Sequence, residues 1–67
     1  MSALAELYRS RAAAKTSEAA SLTQAALNHL NSGDPAEAVE PLTDAEAAAR
    51  AARRLIRYAE QEEAQTS

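Results

Sequence analysis

Sixty-seven residues make one small domain, in a size range where a core alone seldom holds a fold without disulfides, metal or a second chain. The chain has no cysteine, which excludes disulfides and thiolate metal sites together, and a net charge of −3 with a pI near 5.0 argues against a general nucleic-acid footprint. Hydrophobic residues make up 46% of the chain, but 19 of them are alanines and only nine are large aliphatics, so the core is thin and a partner or self-assembly is expected.

The start, Met1-Ser2-Ala3-Leu4-Ala5-Glu6, lacks the basic segment and unbroken apolar run of a signal peptide, and no stretch approaches about 18 apolar residues. A soluble, cytoplasmic protein without membrane insertion is the expectation. From about residue 3 to 31 alanine, leucine, glutamate, arginine and glutamine predominate, all strong helix formers, and neither glycine nor proline interrupts them. One stripe of this first helix carries Leu4, Tyr8, Ala12, Lys15, Ala19, Leu22, Ala26 and Leu30, with Leu7 and Leu27 to its sides. Lys15 interrupts the stripe and is read as a side chain whose head group reaches solvent.

Ser32-Gly33-Asp34-Pro35 predicts a tight turn. Gly33 suits the left-handed position after a helix, Asp34 an N-cap, Pro35 the first helical position and Glu37 the far member of a capping box. A connection this short makes the helices antiparallel neighbours. The second helix is expected from about 35 to 63, with a frayed tail at 64–67. The predicted fold is thus a single all-α antiparallel two-helix hairpin over 1–67, assembling into a helical bundle with itself or a partner. Pro41 conflicts with an unbroken second helix, because it deletes a backbone bond and crowds the carbonyl four residues earlier. A kink near Glu37 is expected; the alternative is a break into a short segment at 35–40 and a main helix from Asp44, since Thr43-Asp44-Ala45-Glu46 is itself a capping box.

The second helix carries a heptad pattern: Ala38, Leu42, Ala45, Ala49, Ala52, Ile56 and Ala59 alternate spacings of four and three. Small residues at successive seam positions imply close approach by another helix, either a partner's or the first helix of the same chain. The candidate protein interface is therefore Leu42, Ala45, Ala49, Ala52, Ile56 and Ala59, with Leu22 and Leu30 from the first helix. Ala47 and Ala51 lie off that seam.

Charge is banded. All seven basic residues fall between Arg9 and Lys15 or between Arg50 and Arg57, windows that lie side by side in an antiparallel hairpin, whereas Thr16 to Ala49 carries six acids and no lysine or arginine. Arg50, Arg53, Arg54 and Arg57, with Tyr58 for stacking, form a candidate anion-binding belt. The plainer reading is a solvated arginine face supported by Glu46–Arg50 and Arg57–Glu60 pairs. Two hairpins laid antiparallel would also set each acidic half against the other's basic band, which favours register and orientation more than raw affinity.

No catalytic, cofactor or metal site is expected. His29 is the sole histidine, no His-x-x-x-His or Glu-x-x-His spacing occurs, and no phosphate loop or nucleophile–base pair appears. Ser17 to Glu46 resembles one tetratricopeptide-type hairpin: aligned on Gly33-Asp34, Ala26, Ala38 and Ala45 fall where that family keeps small residues, although Arg50 replaces the closing proline. The chain is also similar to the small helical-hairpin co-chaperones of type III secretion needle subunits, in its length, its Met1-Ser2-Ala3-Leu4 start, Leu22-Thr23-Gln24, Gly33-Asp34 and Leu55-Ile56-Arg57-Tyr58. Its alanine density departs from that family's larger apolar residues. That resemblance implies a hairpin packed on a tetratricopeptide-type chaperone through its seam. The expected function is a non-enzymatic interaction protein, an adaptor or co-chaperone docking on a helical partner; the alternative is a homodimeric four-helix-bundle regulator that binds RNA or DNA through the arginine belt.

Overall fold

Ser2 starts the first helix. Its hydroxyl oxygen accepts from the Ala5 amide at 3.1 Å, satisfying one of the backbone donors that a helix start leaves open, and its carbonyl accepts the first intrahelical bond, from the Glu6 amide at 3.1 Å. In the computed structural model, which describes residues 2–66, α1 (Ala3–Asn31) runs without interruption, as its composition predicts. Ser32 then caps it and Gly33 takes φ +81°. The Asp34 amide donates to the His29 carbonyl at 2.8 Å and the Gly33 amide to the Leu30 carbonyl at 3.2 Å, the paired bonds of a Schellman stop.

A single 3-10 turn, Pro35–Ala38, follows, and α2 (Val39–Thr66) continues from it. Together the elements make an all-α hairpin with α1 and α2 packed side by side. Three expectations change here. Asp34 occupies the cap position but makes no side-chain cap bond, so the predicted capping box with Glu37 does not close; the Glu37 amide donates instead to the Asp34 carbonyl, at 3.0 Å. Pro41 neither breaks α2 nor displaces its start to Asp44. It stands in the first turn of α2, just after the tighter 3-10 turn, where a missing amide costs little. The Thr43 hydroxyl bonds back to the Val39 carbonyl at 3.0 Å rather than capping a new helix. Of the tail expected to fray, 64–66 continues the helix, and Ser67 lies outside the described residues.

The core is alanine. Among the described residues every buried hydrophobic side chain is an alanine: Ala5, Ala12 and Ala26 on α1, Ala38 in the 3-10 turn, and Ala45, Ala48, Ala52 and Ala59 on α2, none more than 7% exposed. Ala5, Ala12, Ala19 and Ala26 recur every seven residues, and Ala38, Ala45, Ala52 and Ala59 repeat that period on the facing helix. A seven-residue repeat keeps one stripe aimed at the partner helix, and alanine along it lets the axes approach toward the lower part of the usual 8–10 Å range. Between these alanines stand Tyr8, Lys15, Leu22 and His29 on α1 and Pro41, Ala48, Leu55 and Glu62 on α2; all but Lys15 and Ala48 are half-buried, Ala48 being fully so. The predicted stripe of α1 is right in its middle and off by one residue at its ends. Ala5 is inside where Leu4 was expected, and half-buried His29 takes the place of Leu30, because alternating steps of three and four from Ala12 and Ala26 lead to those positions.

Candidate docking face

Burying alanines leaves the larger apolar side chains outside. Leu4, Leu7, Leu27, Leu30, Val39, Leu42, Ile56 and Tyr58 are all 40–63% exposed. Helical periodicity sorts them into two groups. On one face of the hairpin, α1 contributes Leu30, Thr23, Thr16 and Arg9 at intervals of seven, and α2 contributes Leu42, Ala49, Ile56 and Glu63 at the same interval. The two rows run side by side, which the contact between their last members demonstrates: Arg9 Nη1 donates to Glu63 Oε1 at 2.8 Å across the helix pair.

From that ion pair to the turn the face is apolar or uncharged except along its α2 edge. Thr16 and Thr23 hydroxyls are spent on the Ala12 and Ala19 carbonyls, each at 2.8 Å, and need nothing more from solvent. Ala13, Ala20 and Leu27 extend the face on the α1 side. Val39 extends it on the α2 side, where Glu46, Arg53 and Glu60 form a charged margin. The opposite face is different in kind. It holds an open groove of about 290 Å³ lined by Lys15, Glu18, Leu22, Asp44, Ala47, Ala48 and Ala51. Lys15 Nζ donates to Glu18 Oε2 at 3.1 Å there, so the lysine reaches solvent as expected.

The predicted interface residues therefore separate. Leu30, Leu42 and Ile56 lie exposed on the apolar face, and half-buried Ala49 stands in the same row as Leu42 and Ile56. Leu22 is half-buried between the helices. Ala45, Ala52 and Ala59 are internal: of the two occupants the seam allowed, it is α1 of the same chain that covers them. Ala48, which the sequence pattern missed, belongs with them, and Ala51, expected off the seam, is half-buried at its edge. The missed signal was the period of seven in alanine alone on both helices, obscured by the larger residues one step away.

Arg50, Arg53, Arg54 and Arg57 are exposed and, among the described residues, form no ion pair, so the Glu46–Arg50 and Arg57–Glu60 pairs expected from spacing are not made. Exposed pairs of this sort gain little against side-chain entropy. Tyr58 does not stand alone as a stacking platform: its ring lies 5.5 Å from that of Tyr8, tilted by 47°. That contact also sets the two basic windows side by side at the open end. Among the described residues no group of three or more His, Cys, Asp or Glu side chains could hold a metal, and no helix is long and apolar enough to cross a membrane. No family model, curated protein or solved structure matches this chain.

Proposed function

We propose that this chain is a protein-interaction module, adaptor- or co-chaperone-like and working in the cytoplasm, that docks helices on the face built from Leu30, Leu42, Thr23, Ala49, Thr16 and Ile56. One observation carries the reading: the fully buried side chains of the internal contact are alanines, while Leu27, Leu30, Val39, Leu42 and Ile56 are exposed on one face. Apolar side chains gathered on one face of a small protein mark a surface that something covers. A helical occupant fits because the face is two parallel ridges with a shallow trough between them, the shape that receives another helix or helix pair. The resemblance to needle-subunit co-chaperones supplies one partner class, a tetratricopeptide-type helical protein. The test is capture from native cells with the intact chain, with Leu42→Glu and Ile56→Glu, and with Leu4→Glu on the other side. A stoichiometric helical partner retained by the intact chain and by Leu4→Glu but lost by the other two supports the reading. Equal retention by all four places docking elsewhere.

A second reading keeps the arginine belt as an anion site, favoured by four exposed arginines without ion pairs on the outer side of α2. Nucleic-acid binding through it would weaken steeply with salt, and each arginine removed would lower that slope by about one unit. No binding at low salt eliminates it.

A further inference from the structure

Resting on the reading that this face docks helices, we infer that its occupant is a second copy of the chain, laid face to face and antiparallel, so that four helices enclose one apolar core. Among the described residues no third element covers the face. The hairpin's Cα extents of 52 × 13 × 10 Å give that face the size needed, once side chains widen it, for the roughly 800 Å² per partner of a stable interface.

Charge decides the orientation. With the two-fold axis crossing the helices at Ala49, α2 of each copy lies against α2 of the other. Leu42 then faces the partner's Ile56, Ile56 faces the partner's Leu42, and Ala49 meets the partner's Ala49 on the axis, where only a small residue lets the helices close. On the α2 margin Glu46 falls opposite the partner's Arg53, and symmetry makes that pair twice. On α1 the same axis crosses near Thr16, where the row of Ala13, Thr16 and Ala20 is uncharged. Stacking the copies turn to turn instead lays α2 on the partner's α1 and leaves Glu46 over the partner's Ala20 and Arg53 over the partner's Ala13, with no opposite charge for either.

The experiment uses the full chain, whose lack of cysteine makes a single introduced thiol an unambiguous reporter. Sedimentation equilibrium should give twice the 7.1 kDa chain mass. Ala49→Cys should form a disulfide-linked dimer on mild oxidation with helicity retained, because only the antiparallel register brings the two positions within disulfide reach. Glu46→Arg and Arg53→Glu should each weaken the dimer roughly tenfold, since one substitution turns two opposite-charge contacts into like-charge ones, and the double swap should restore it. Both positions are exposed in the single hairpin, so neither change disturbs its fold. Leu42→Glu should abolish the dimer and Leu4→Glu should leave it intact. A chain that stays monomeric at every concentration overturns the second-copy inference. If Leu42→Glu and Ile56→Glu still release a captured partner, the docking reading survives that failure; if they do not, both fall. A dimer in which Ala49→Cys does not cross-link, or the double swap does not rescue, overturns the antiparallel register.

Discussion

Two adjacent rows of α2, offset by three or four residues along the helix, have different compositions and opposite fates. Ala45, Ala52 and Ala59, in line with Ala38 of the 3-10 turn, point into α1 and are buried; Leu42, Ala49 and Ile56 lie on the flank, where the two large residues are 40% and 47% exposed. Most small domains do the reverse, placing the large aliphatics inside because burying each contributes roughly 1.5–3 kcal/mol. An alanine seam gains close backbone packing and little area. The inner row therefore specifies how the hairpin closes, while the large residues of the outer row, Leu42 and Ile56, keep apolar area that a second layer of helices could cover. The hairpin has the geometry of a finished fold and the burial of half of one.

The sharpest way to break that comparison is to enlarge the inner row. Ala52→Leu forces three extra carbons into a contact with 5% exposure, and overpacking of that kind costs typically 1–3 kcal/mol, a large fraction of the stability of so small a domain. The same change at exposed Ala47 should be neutral within about 0.5 kcal/mol. Thermal melts followed by circular dichroism compare the two. Equal effects at Ala47 and Ala52 would mean that the helices do not close on alanine, and the assignment of inner and outer rows would fail with it.

How much of this was legible depended on which residues carried the signal. The bounds of α1 and the turn could be read directly, because glycine and proline occur only at the turn and at Pro41, and Gly33-Asp34-Pro35 follows a helix-stop, helix-start order. The mixed heptad of α2 was also visible, yet it combined two rows: the alanines of one face and the larger residues beside them both repeat at seven, and periodicity alone cannot tell which row another helix of the same chain will cover. Composition misled as well, since leucine is ordinarily the better guide to burial. The 3-10 turn that absorbs Pro41 was not legible, because it depends on where the Schellman stop sets the chain and not on any residue of its own.

Gly33 fixes the register that brings Ala26 and Ala38 opposite each other, so it is the next place to test the inner row. Its φ of +81° is strained for any residue with a Cβ, although no atom lies within 4 Å of where that Cβ would stand. Gly33→Ala should therefore cost about 1 kcal/mol through the backbone alone, and Gly33→Asn less, measured as shifts in denaturant midpoint. A milder effect is expected at the other end of α1. Ser2→Ala removes the 3.1 Å cap bond to the Ala5 amide and should lower stability by about 0.5–1 kcal/mol, with faster hydrogen exchange confined to the first turn. Exchange that accelerates along the whole of α1 would show that the seam near Ala5 depends on this cap and not on the alanine packing.

The smallest effect belongs to the pair that closes the outer face. Arg9 and Glu63 meet at 2.8 Å across 54 residues of chain, but their side chains are 49% and 40% exposed. Exposed pairs contribute about 0.2–1 kcal/mol and are screened by salt, so Arg9→Ala should cost less than about 1 kcal/mol, and that difference should shrink at high ionic strength. A double-mutant cycle with Glu63→Ala isolates the coupling from the other contacts of either residue.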